Sequence, residues 1–123
     1  AFFAEIAAAL PELVGELAPV GARLASGLAA LERATTFLVA ADPAAAAAGS
    51  VPYLALFGTV TGGWLMARIA QAAQARRAAD PRFAAAKLAT ARFFADHFLA
   101  AAPGILPAIE SGGDIAVFDP DLL

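Results

Sequence analysis

The sequence predicts an all-α protein, an up-down antiparallel helical bundle of three long helices plus a short or kinked fourth. Three observations carry that expectation. Large apolar residues recur at steps of three, four and seven over most of the chain. Apolar and polar residues nowhere alternate with period two over a strand length. Asp42-Pro43 and Asp80-Pro81 each place a capping carboxylate before a proline suited to the first helical turn. The connections are short, so neighbouring long helices run antiparallel.

The first long helix starts at Pro11, with Leu13, Leu17, Val20, Leu24, Leu28, Leu31 and Leu38 on one face. Pro19 removes one internal hydrogen bond and is expected to bend the rod near Gly21. Glu12, Glu16, Arg23, Glu32 and Arg33 belong on or beside the wet face. The helix ends near Ala41, and Asp42-Pro43 opens a short alanine-rich turn that Gly49 stops. Ser50 then caps a second helix from about Val51 to Ala78, a rod of roughly 40 Å at 1.5 Å per residue. Asp80-Pro81 starts the third, which carries Phe83, Thr90, Phe94 and Phe98 along one stripe. Pro103-Gly104 and Pro107 interrupt it. The continuation is either kinked or a short fourth helix ending at Ser111-Gly112-Gly113, and residues 114–123 read as a mostly irregular tail with a turn at Asp119-Pro120.

At 123 residues the chain is one domain, 1–123, able to bury roughly two-thirds of its unfolded surface. It is 61% hydrophobic and 15% charged, more apolar than a self-contained soluble domain usually is, so part of its surface is expected to face a partner. Ala1-Phe2-Phe3 lacks an initiator Met and a basic leader, which reads as an interior cut point in mid-helix. A net charge of -3, with Arg76, Arg77 and Arg82 as the one cationic cluster, argues against a nucleic-acid partner. The lack of cysteine excludes disulfides, thiolate chemistry and Cys-based zinc sites, and suits a cytoplasmic location. Pro43 to Ala67 carries no charged residue and is long enough to span a bilayer. Gly49, Ser50 and Pro52 interrupt it, and alanine supplies much of its hydrophobicity, so no membrane span is expected.

Within the second helix Gly58 and Gly62, four apart, present two bare backbone patches on one face and are read as a close helix crossing. Tyr53, Phe57, Trp64 and Arg68 project from a neighbouring face. They are either core or a candidate docking surface, since Trp, Tyr and Arg are typical interface anchors. His97 is the single histidine, and the acids are scattered over different helices, so no metal site is expected. Ser26, Ser50 and Ser111 lie in no nucleophile elbow. Gly62-Gly63 and Gly112-Gly113 follow no strand and are not phosphate loops. No catalytic or cofactor-binding residue is assigned.

From Val51 to Ile109 the blocks Tyr53-Leu54, Leu56-Phe57-Gly58, Gly63-Trp64, Ala67-Arg68, Lys87-Leu88-Ala89 and Ala91-Arg92-Phe93, with the closing Ile109, follow one another in a distinctive order. In that order the chain resembles the acetyl-CoA dehydrogenase type of C-terminal domain, the helical extension of one branch of the acyl-CoA dehydrogenases. The resemblance weakens toward Ala1 and is loose after Gly113. It implies a parent oxidoreductase of fatty acid metabolism that binds FAD and removes hydrogens from the alpha and beta carbons of an acyl-CoA thioester. The Tyr-Glu-Gly-Thr-Asn run that marks the family's catalytic glutamate is absent here, so no catalytic role passes to Glu5, Glu12 or another acid, and no flavin contact to Trp64 or Arg68. The implied role is that of a non-catalytic accessory domain, the C-terminal fragment of a larger flavoenzyme. Its partner is the parent's catalytic body, in a homo-oligomer, and acyl-CoA is met through the parent. Two readings from other classes stand beside it: a free-standing bundle holding a lipophilic ligand between its helices, and a membrane helical hairpin.

Overall fold

Both Asp-Pro signals open helices in the computed structural model, which describes residues 1–116 and 119–122. The Asp42 carboxylate accepts from the Ala45 N–H at 2.7 Å and Asp80 accepts from the Phe83 N–H at 3.0 Å. Each thereby satisfies one of the amide donors a helix start leaves without an internal partner. The long helices are α2 (Ala18–Ala40), α3 (Pro43–Ala75) and α4 (Pro81–His97), preceded by a shorter α1 (Phe2–Ala9). A 3-10 stretch, Leu99–Ile105, leads into α5 (Leu106–Glu110) and α6 (Gly112–Ala116). No strand occurs among the described residues, so the chain is an all-α bundle. α3 is its axis, touching α2, α4, α5 and α6.

The first long helix begins at Ala18, not at Pro11. Pro11 instead opens a 3-10 turn over Leu10–Glu12. Val14 is extended and Gly15 is left-handed at φ 59°, a region that favours glycine because it has no Cβ. The chain therefore turns before α2, and Leu13 folds back so that its Cβ lies 3.0 Å from where a Gly21 Cβ would stand. The bend expected at Pro19 does not occur, because Pro19 falls in the first turn of α2, where the missing N–H costs nothing.

The stop at Gly49 and the cap at Ser50 are likewise replaced by one continuous 33-residue helix. Five alanines, the strongest helix formers, precede Gly49, whose intrinsic cost is about 1 kcal/mol. Tertiary contact offsets that cost: a Cβ on Gly49 would meet the Ile109 carbonyl at 3.0 Å and the Leu38 side chain at 3.1 Å. Ser50 donates to the Ala47 carbonyl at 2.7 Å instead of capping a new helix. The short fourth helix, α5, ends where expected, at Glu110 with Ser111 as its C-cap, and Gly112 follows it. That glycine starts α6, and a Cβ on it would stand 3.0 Å from the Gly49 nitrogen, so the two glycines let α6 cross α3 closely. The expected irregular tail thus includes a helix to Ala116 and a 3-10 turn at Pro120–Leu122, where the Asp119 carboxylate accepts from the Asp121 N–H at 2.9 Å.

The core is apolar throughout, with no buried polar or charged residue among those described. α2 contributes Val20, Leu24, Leu28 and Leu31, and α3 contributes Leu56 and Val60. Elsewhere α3 and α4 bury mainly small residues, Ala67, Ala70, Ala73, Ala84, Ala91 and Ala95. On α4 the buried stripe is therefore alanine, while Phe83 and Phe98 stay about half exposed. Leu99 is fully buried between two bare backbones. A Cβ on Gly63 would lie 2.8 Å from its Cγ, and one on Gly27 3.4 Å from one of its methyls.

These contacts separate the glycines of α3. Gly63→Ala should destabilise the chain by about 1–3 kcal/mol, because overpacking against Leu99 outweighs the better helix propensity. Gly58→Ala, with nothing within 4 Å of the new methyl, should stabilise it by about 1 kcal/mol. Urea unfolding of the two variants checks the opposite signs.

Candidate functional site

Tyr53, Phe57, Trp64 and Arg68 share one side of α3, and the structure brings them against an element of the same chain. Phe2 of α1 stacks on Phe57 with centroids 5.5 Å apart and meets Trp64 edge-on at 5.5 Å. Phe3 lies 6.2 Å from Phe57, and Tyr53 lies 6.1 Å from it. Ile6, one turn along α1, is fully buried. Offset and edge-on aromatic pairs of this kind each add about 0.5–1.5 kcal/mol beyond their area. The Tyr53 hydroxyl shares a 2.9 Å hydrogen bond with Thr35, whose own hydroxyl also donates to the Leu31 carbonyl. The Arg68 guanidinium sits 5.1 Å above the Trp64 ring. The stripe is thus roofed by α1. Phe2 and Phe3 are the residues that sequence reading missed there, although the spacing of Phe2, Phe3, Ile6 and Leu10 is itself a helical face.

The expected glycine pair also divides. Gly62 faces the Phe94 ring, with 3.0 Å between an added Cβ and the ring edge, but Gly58 opens to empty space. The close approach to neighbouring elements lies at Gly62 and Gly63, and Gly58 takes no part in it.

The charged groups pair at the surface. Arg33 grips Glu110 with both ends of its guanidinium at 2.6 and 2.9 Å, joining α2 to α5. Arg77 reaches Glu16 at 2.6 Å, tying the turn after α3 to the turn at Gly15. Asp96 lies between Arg92 at 3.0 Å and Arg23 at 3.8 Å. Most of these side chains are well exposed and Glu110 is partly so, and ion pairs at such a surface contribute about 0–1 kcal/mol each. His97 is exposed and its ring stacks on Phe93 at 4.2 Å.

Among the described residues no group of three His, Cys, Asp or Glu converges on a point that could hold a metal. Among the described residues, clefts of about 530, 260 and 450 Å³ open to solvent. The largest lies between Glu16, Pro19, Arg77, Leu88 and Arg92, where each arginine already faces a carboxylate. The helix crossings are filled by side chains, Leu99 and Val60 above all. No described constellation offers a nucleophile with a base or a cradle of donors around a cofactor.

Residues 2–118 match the family described as acetyl-CoA dehydrogenase C-terminal like, and the chain belongs to that family. It is an acyl-CoA dehydrogenase-like C-terminal domain. Among curated proteins it is similar to a 3-methylmercaptopropionyl-CoA dehydrogenase of Ruegeria pomeroyi, at 41% identity over 109 residues. The match covers 79% of this chain and 18% of that relative, so the chain spans under a fifth of the relative's length. No solved structure matches.

The α1 roof makes a direct prediction, because Trp64 is the single tryptophan. Phe2→Ala should shift its fluorescence emission to the red and lower stability by about 2 kcal/mol, half the cost of emptying a fully buried phenylalanine site. An unchanged emission maximum would mean that α1 does not cover the ring in solution.

Proposed function

We propose that these helices are the non-catalytic C-terminal domain of an FAD-dependent acyl-CoA dehydrogenase. The parent's body carries out the alpha,beta-dehydrogenation of an acyl-CoA thioester. The domain serves that body by packing against it, by making contacts within a homo-oligomer, or by covering the substrate entrance. The observation that carries this reading is the distribution of apolar surface. The core is filled, yet Val51, Leu54, Leu65 and Ile69 of α3 remain 42 to 77% exposed. α3 holds an 18-residue window of hydropathy 1.3, long and apolar enough to cross a membrane by length and composition, and only 22% of that window is buried. A domain that belongs beside a larger body accounts for such a surface. Family membership and the short share of the relative's length support the same reading. Free-standing storage of a lipophilic ligand has no comparable support, since the three clefts are open and the crossings filled.

The test compares the full polypeptide that carries this segment, the same polypeptide truncated before it, and residues 1–123 alone. The full polypeptide should be yellow with bound flavin and oxidise an acyl-CoA thioester, whereas residues 1–123 should be colourless and inactive. Returning the segment to the truncated body should change turnover or assembly size. A yellow or thioester-oxidising 123-residue segment, or a truncated body unchanged in both respects, defeats the proposal.

A further inference from the structure

We infer that the outward face of α3, formed by Val51, Leu54, Gly58, Leu65 and Ile69, is the seat on which the dehydrogenase body of the same polypeptide packs. This rests on the accessory-domain reading above and names the face that reading requires. The five positions follow one another at steps of three, four, seven and four, which keeps them on one line of a helix. The other sectors of α3 are occupied. Leu56, Val60, Gly63, Ala67 and Ala70 turn to the core, and α1 covers Phe57 and Trp64. The outward line keeps Val51 77%, Leu54 71%, Leu65 43% and Ile69 42% exposed, and nothing lies within 4 Å of where a Gly58 Cβ would stand.

The chemistry of the face states what fits it. No charged residue occurs from Pro43 to Ala67, so the complementary surface is apolar and presents no charge to residues 51–65. At Gly58 the bare Cα lets a crossing backbone approach more closely than leucine or valine would allow. Size then selects the occupant. The line from Val51 to Ile69 is about 27 Å long and about 10 Å wide on helix geometry, roughly 270 Å². That is well under the ~800 Å² per partner of a stable interface between separate molecules. A second copy held by this face alone would dissociate. A body joined through the same chain meets it at an effective concentration near the millimolar range, where a small apolar contact suffices. In the Ruegeria relative most of the polypeptide lies outside the matched segment.

The experiment uses the full polypeptide with Leu54→Glu or Gly58→Leu, and with Val39→Glu on α2, at a site 82% exposed, as the control. Limited proteolysis reads how fast the helical segment is released. Both α3 variants should release it about tenfold faster than the parent, with far-UV circular dichroism unchanged, and Val39→Glu should release it at the parent rate. Unchanged release in both α3 variants overturns the assignment of the face. So does an equal acceleration by Val39→Glu, or a loss of helical circular dichroism that by itself explains the release. Two other results overturn it by naming another occupant: a halved assembly size with unchanged release points to a second copy, and loss of sedimentation with phosphatidylcholine vesicles points to lipid. Flavin absorbance and thioester oxidation by the unsubstituted polypeptide report on the accessory-domain reading separately. If both are present while release is unchanged, only the face is wrong.

Discussion

The bundle depends on one steric arrangement, the seating of Leu99 between the bare backbones of Gly27 and Gly63. Three elements meet there: α2, α3 and the 3-10 stretch that follows α4. A methyl group on either glycine would collide with or crowd a side chain that is fully buried and has nowhere to move. Close approach at this point brings the alanine faces of α3 and α4 within reach of each other. Alanine contributes little burial per residue, since each buried methylene-sized group gives about 0.8 kcal/mol. An alanine-rich interface is therefore stable only when backbones come near enough for many weak dispersion contacts to accumulate. The leucines of α2 supply the bulk that the other two long helices lack.

Close packing also explains how α3 survives its own sequence. Gly49 and Pro52 would each weaken an isolated helix, Pro52 by removing an internal donor. In the folded chain Ile109, Leu38 and Gly112 crowd the Gly49 position. The weakest stretch of the longest helix is thus braced by α2, α5 and α6. The extended residue before Asp42, Ala41 at ψ 156°, sets the turn that folds α3 back along α2.

Signals whose physics is local could be read from the sequence directly. The caps at Asp42 and Asp80 need only a carboxylate and the amide three residues on, and both are where the Asp-Pro pairs place them. The apolar line of α2 from Val20 to Leu31 is equally local, because helical period alone aligns it. What escaped were features decided at a distance. Gly49 looks like a stop until Ile109 lies against it. Leu13 looks like helix until Gly15 turns the chain and Gly21 makes room for it. Gly58 and Gly62 look equivalent by spacing, but only Gly62 has a ring over it. The aromatic stripe was legible as a stripe; that Phe2 and Phe3 roof it depends on α1, whose existence rests on the opening residues.

The three sectors of α3 divide its chemistry. One is closed by small residues against α2 and α4, one is closed by aromatic rings from α1, and the third is apolar and open. Were the domain built to hold a small ligand, the economical place for a cavity would be the first sector, where glycine and alanine already leave room. Leu99 and Val60 fill that room instead. The arginine and carboxylate pairs lie at the surface, between α2 and α5, between the turns at Gly15 and after α3, and along α4. The open sector of α3 is where its uncovered apolar groups, Val51, Leu54, Leu65 and Ile69, line up, and it is the sector that the proposed accessory role would use.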